Sequence, residues 1–196
     1  MVLKMVIILL SLVAMKGNIE KVELEYGIDG NIDPKYCIML EENLSVVPDF
    51  ILSDFYSSGW RVYITDRDID DTFCEGRYGS VMGLTIYENK VIFLEDRDKV
   101  YDYTIVHELG HWFDCEHDYC SNKDEFVSIF EEETYSFEDY YGIDFYYNRN
   151  EMYAEGFLKY FVDPEGLQVC SPKMYDFIDT QVKEEWVSYV EERMCW

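Results

Sequence analysis

His107-Glu108-Leu109-Gly110-His111 decides how this chain is read. The pattern is H-E-x-x-H, and the run before it, Val100 to Val106, is compatible with a helix. Residues four apart on a helix stand one turn above each other on the same face. Two imidazoles placed in this way can both reach one metal ion at the ~2.0–2.1 Å of a zinc–nitrogen bond. The 3.6-residue turn rotates Glu108 by about 100° from His107, so it need not bind the ion. It is placed instead to act as a general base toward water, as in zinc peptidases. The plainer reading is a helix with two structural histidines. Against it, two of the chain's three histidines fall in this one motif. Ile105, Val106, Leu109, Trp112 and Phe113 would also bury the helix and hold two ligands rigidly.

A catalytic zinc takes three protein ligands and keeps one position open. The remaining histidine, His117, lies six residues past His111 and beyond the expected helix end. It fits poorly, because H-E-x-x-H sites with a third nearby histidine use a longer, glycine-containing spacer. A downstream carboxylate is the better choice. Asn150-Glu151-Met152-Tyr153-Ala154-Glu155-Gly156-Phe157 offers two, Glu151 and Glu155, on one helix face. One of them could ligate while the other supports a histidine from behind. A solvated helix face is the bland alternative, but Phe157, Tyr160 and Phe161 make this helix at least partly apolar.

His107 to Asp114, H-E-L-G-H-W-F-D, followed some forty residues later by the Asn150–Phe157 segment, resembles the catalytic domain of anthrax lethal factor and its relatives. These relatives include secreted Pro-Pro endopeptidases of Gram-positive bacteria. The family pattern is H-E-x-G-H-x-x-D and N-x-x-E-[FY]-F-A-E-x-F. The tail Ser171 to Ile178 is similar to its closing helix, and the likeness runs from about Trp60 to Val187. The resemblance implies a zincin-like metallopeptidase with Zn2+ held by His107, His111 and Glu151, and with Glu155 as outer support. It also implies a tyrosine seven residues before the ligand glutamate, stabilising the oxyanion. That position is Asp144 here, a departure from the pattern. Tyr141, in a family-like Tyr-Gly pair, is the preferred candidate; Tyr147 comes next, and Tyr146 is also near. Substrate is expected along an exposed edge strand, either Ser80 to Tyr87 or Val91 to Leu94.

The 196 residues suffice for one domain with a sizeable core, and 18 tyrosines and 12 phenylalanines make an aromatic core the expectation. Lys4 followed by the apolar run Val6 to Ala14 reads as a signal peptide, so residues 1–16 are expected to be a leader and 17–196 the peptidase domain. No later stretch is apolar and long enough to span a bilayer. Six cysteines in a secreted chain then predict up to three disulfides. Asn43-Leu44-Ser45 is a glycosylation sequon. The net charge of −25 argues against nucleic acid or anionic membrane as a partner and would favour a cationic substrate. A monomer is expected.

Along the chain, Ile19 to Tyr26 reads as a strand and Gly27 to Asn31 as a turn. Helices are expected from Asp33-Pro34 to Glu42 and from Val46 to Tyr56, and a strand from Trp60 to Thr65. Gly79 to Tyr87 and Val91 to Leu94 read as a hairpin joined by Glu88-Asn89-Lys90. After the motif helix come a helix near Asp124 to Glu132, a tyrosine-rich loop from Ser136 to Asn148, and helices from Asn150 to Phe161 and Lys173 to Glu191. The fold class is α+β, a small mixed sheet packed on helices. The expected function is a secreted zinc endopeptidase with Glu108 as general base. The competing readings are an inactive toxin-like or peptide-binding module, and a different zinc hydrolase such as a deacetylase or amidase.

Overall fold

The computed structural model describes residues 25–79, 81–97, 103–144 and 148–194. The expected leader, most of the Ile19–Tyr26 strand, Tyr146, Tyr147 and Cys195 lie outside these residues. Among the described residues four strands form one sheet: β1 (Tyr26–Asp29), β2 (Arg61–Thr65), β3 (Gly83–Ile86) and β4 (Val91–Glu95), in the order β1-β2-β4-β3. β1, β2 and β4 run parallel, and β3 runs antiparallel to β4. The register sets Val62 beside Ile92 and Ile64 beside Leu94, all four buried on one face. Tyr63 and Phe93 alternate onto the other face, where Phe73 stacks on Phe93 at 4.7 Å. Phe73 belongs to the short helix α3 (Ile69–Phe73).

The buried face carries the helices. α1 (Pro34–Leu44) and α2 (Asp49–Ser57) precede β2. The motif helix α4 (Thr104–Glu116) buries Ile105, Val106, Leu109, Trp112 and Phe113, as its apolar pattern requires. α5 (Asp124–Tyr141), α6 (Arg149–Val162), α7 (Pro164–Cys170) and α8 (Pro172–Met194) complete the helical layer. The buried Glu133 of α5 caps the start of α8. Its carboxylate accepts from the Ser171 hydroxyl at 2.6 Å and from the Lys173 and Met174 amides at 3.2 Å each.

Several expectations are corrected. Gly27 to Asn31 is not a turn throughout: Tyr26–Asp29 is a parallel edge strand. Gly27 is there for close packing, since a Cβ at that position would stand 2.2 Å from the Tyr63 ring. Ser136 to Asn148 is not all loop, because α5 continues to Tyr141. Ile129, Phe137 and Tyr141 share one helix face, and Gly142 ends the helix at φ +68. The hairpin strand is shorter than expected, Gly83–Ile86. α7 was missed, although Asp163-Pro164 is a helix-start signal and the Asp163 side chain accepts from the Gly166 amide.

The disulfide expectation is also corrected. Among the described residues Cys37, Cys74, Cys115, Cys120 and Cys170 are all free thiols. They are scattered over different parts of the fold, and the Cys120 sulfur sits against the His117 carbonyl and Lys123 Nζ rather than another sulfur. The sequon asparagine, Asn43, lies within α1 and is only 8% exposed, so it does not suit glycan attachment in the folded chain.

Candidate metal centre and substrate cleft

α4 and α6 cross at a seam of small residues. A Cβ on Gly110 would stand 2.7 Å from Ala154 Cα and 2.9 Å from the Ala154 carbonyl oxygen. Only glycine at Gly110 permits this approach. It brings His107 and His111, on either side of Gly110 along α4, opposite the first turn of α6. There Glu151 extends its carboxylate between them: His107 Nε2 lies 3.2 Å from Oε2, and His111 Nε2 lies 3.5 Å from Oε1. One ligand atom from each of the three residues lies within 4.8 Å of the other two.

Glu155, one turn after Glu151, stands behind His107 with Oε2 3.0 Å from Nδ1. Its other oxygen meets Lys159 Nζ at 3.0 Å. This is the outer arrangement that fixes a metal-binding imidazole, with one nitrogen held by a carboxylate and the other free to face the ion. Burial opposes charge on His107, but Glu151, Glu155 and Glu108 outweigh it and push the ring up to about 10. The same histidines hold the Glu151 carboxyl well below the usual carboxylate range, against burial, which acts to raise it. The cluster is therefore built to surround positive charge. Two imidazole nitrogens and a carboxylate are the donor set of a His2Glu zinc centre, and the residues fit that ion.

Glu108 faces the sheet. It is 6% exposed, and its Oε2 accepts from the Thr85 hydroxyl on β3 at 2.6 Å. Gly83, two residues before Thr85 on the same strand face, leaves room for it; a Cβ there would stand 2.7 Å from Glu108 Oε1. β3 is an edge of the sheet, with β4 on its inner side, so of the two strand candidates only the first supplies the edge. Between β3 and the start of α6 lies a cleft of about 1020 Å³ whose walls include Met82, Leu84, Tyr87, Asn148 and Leu158. His107, Glu108, His111, Glu151 and Glu155 lie on its floor side.

The two sequence motifs are tied together behind the site. Asp114 accepts from the Ser121 amide at 2.7 Å and from the Ser121 hydroxyl at 2.8 Å. Asn150 Oδ1 stands 3.1 Å from the same hydroxyl. Burial raises the Asp114 carboxyl above its ordinary value, while the Ser121 hydrogen bonds favour the anion.

The family model described as "Anthrax toxin lethal factor, N- and C-terminal domain" matches residues 95–181, a span that holds both motifs. Among solved structures, the Pro-Pro endopeptidase from Paenibacillus alvei superposes with a TM-score of 0.62 at 21% identity, over 78% of this chain and 95% of that one. The chain resembles the lethal factor family in sequence and in fold. No curated protein matches it.

Two other residues weighed for the site have partners of their own in this lethal factor-like fold. The Tyr141 hydroxyl donates to Asp163 Oδ2 at 3.1 Å, beyond the far end of α6. Lys159 Nζ, which pairs with Glu155, stands 4.7 Å over the Tyr141 ring, while the Tyr141 hydroxyl itself is engaged by Asp163. His117 caps the far end of α4 and pairs with Glu185 of α8 at 3.2 Å. Sequence reasoning missed Thr85 and Gly83. Their only signal was membership of the expected edge strand, which does not say which side chain meets Glu108.

Proposed function

We propose that the chain is a secreted zinc endopeptidase. The observation that carries the proposal is the convergence of His107, His111 and Glu151, with Glu108 beside them and against an edge strand. His107, His111 and Glu151 would hold the zinc. When bound, zinc polarises the scissile carbonyl and lowers the pKa of a bound water toward ~7. Glu108 takes a proton from the attacking water and delivers it to the leaving amine. Thr85 holds one Glu108 oxygen and so orients the carboxylate. An extended peptide adds to the free edge of β3 by backbone hydrogen bonds and lies across the cleft. Glu155 keeps the His107 ring turned so that Nε2 faces Glu151.

The oxyanion donor proposed is Tyr147 rather than Tyr141. Its support is its place in the chain, next to the cleft-lining Asn148. Secretion rests on the leader-like residues 1–16; among the described residues no helix is long and apolar enough to cross a membrane. The fold is shared with a Pro-Pro endopeptidase, so Pro-Pro peptides are the first substrates to try. The test is cleavage of an extended-peptide library by the purified chain, with and without a chelator and with Glu108→Ala. Chelator-sensitive cleavage that disappears in Glu108→Ala is expected. No cleavage of any peptide by zinc-loaded protein would favour the peptide-binding reading.

A further inference from the structure

His117 was set aside as a ligand of the first centre, yet it is built like a ligand. Its Nδ1 lies 2.9 Å from the Phe113 carbonyl oxygen and must donate a proton there, because a carbonyl can only accept. Its ring is stacked on Phe113 with centroids 3.8 Å apart at 13°, so the orientation is locked. Nε2 is therefore aimed outward from α4 in a fixed direction. What it meets is carboxylates: Glu185 Oε2 of α8 at 3.2 Å, and Asp54 of α2. One ligand atom from each of Asp54, His117 and Glu185 lies within 4.8 Å of the other two, the same closeness as in the His107–His111–Glu151 cluster.

A neutral imidazole there would turn its lone pair on two acceptors. The arrangement needs a cation at Nε2, either a proton or a metal. More negative charge stands nearby. Glu116 and Glu192 add to the field of Asp54 and Glu185, while Lys90 Nζ pairs with Glu116 at 3.2 Å. A dication at Nε2 would meet the Asp54 and Glu185 carboxylates at once. The ring's back nitrogen already has the carbonyl partner that metal-binding histidines take. One imidazole and two carboxylates suit zinc or a neighbouring divalent transition ion, with water completing the shell.

We propose that Asp54, His117 and Glu185 form a second divalent-metal site that staples the C-terminal helix α8 to α2 and to the end of α4. None of the three residues lines the substrate cleft. The site has a carboxylate–imidazole set but no counterpart of Glu108, so its role is structural.

The test uses the full chain without a histidine tag. After equilibration with Zn2+ and removal of loose ion, wild type should retain two zinc ions per chain. His111→Ala, or Glu151→Gln should the first variant fold poorly, should retain one. The double variant Asp54→Asn/Glu185→Gln should also retain one, and combining it with His111→Ala should leave none. Zn2+ should raise the melting temperature of His111→Ala by several degrees and leave that of the combined variant unchanged. Removing a direct ligand should weaken binding at this site by more than the ~10–100-fold typical of losing an outer partner. If the Asp54/Glu185 variant holds as much zinc as wild type, the proposal is overturned and His117–Glu185 is an ordinary ion pair. That result leaves the peptidase reading intact, because it is His111→Ala that tests the first centre.

Discussion

Glu108 and Thr85 meet across 2.6 Å, and their contact joins the proposed base to the strand proposed to bind substrate. A carboxylate with two free oxygens can rotate; one held by a hydroxyl points its other oxygen in a set direction. Thr85→Val should therefore lower kcat by ~10-fold or more while leaving KM and zinc content close to wild type, since oriented acid–base catalysis contributes about 10²–10⁴-fold in all. Thr85→Ser, which restores the hydroxyl, should recover most of the loss. Steady-state kinetics with a cleavable peptide decides it, and a pure KM effect would mean that Thr85 serves only the strand. Zinc affinity should separate the two glutamates of α6. Glu151→Gln should abolish tight binding, whereas Glu155→Gln should weaken it by ~10–100-fold, read by competition with a chelator. At this scale the sequence was informative where one helix places the groups. His107, Glu108 and His111 were legible because helical spacing puts them on known faces, whereas Glu151 was told apart from Glu155 only by the family motif. Thr85 was not legible, because it reaches Glu108 from a strand more than twenty residues earlier.

Among the elements, the α4–α6 seam and the start of α8 carry the most consequence. Gly110 admits Ala154 at a distance no side chain would tolerate. Gly110→Ala should cost about 1–3 kcal/mol by overpacking and should also weaken zinc binding, although the new methyl touches no ligand. Chemical denaturation and metal titration on the same sample test both halves of that statement. Normal zinc affinity in a destabilised Gly110→Ala would show that the seam does not set the ligand geometry. Glu133 makes a different kind of joint, a buried carboxylate receiving two amides of another helix. Glu133→Ala should destabilise by about 2–4 kcal/mol, measured by urea unfolding, because charge-assisted hydrogen bonds and otherwise unmet amides are lost together. The expected helices over residues 34–42, 150–161 and 173–191 match α1, α6 and α8 because their apolar residues recur at helical spacing. α5 was cut short in the reading because its second half is crowded with tyrosines, which suit a loop as readily as a helix. β1 was missed because its glycine reads as a turn until Tyr63 is known to lie over it.

For the whole molecule the charge and the thiols set the behaviour. A chain of net charge −25 repels itself when compact, so salt that screens the repulsion should stabilise it. The melting temperature should rise between low salt and 0.5 M NaCl, a concentration at which the screening length is under about 8 Å. A fall would mean that specific ion pairs outweigh the overall field. Burial raises the thiols of Cys74, Cys120 and Cys170 above the ordinary value, which keeps them protonated and slow to react. Reductant should therefore leave the melting temperature unchanged; a drop of many degrees would mean that cross-links hold the mature fold. The helical seam has one more consequence at this scale. The spacing of the proposed metal donors is inherited from how thick two helices are where they touch, so the pair works as a calliper whose jaws are those donors and whose pivot is Gly110. A variant that thickens the pivot would behave in a metal assay like a mutant of the ligands themselves, with every ligand still in place.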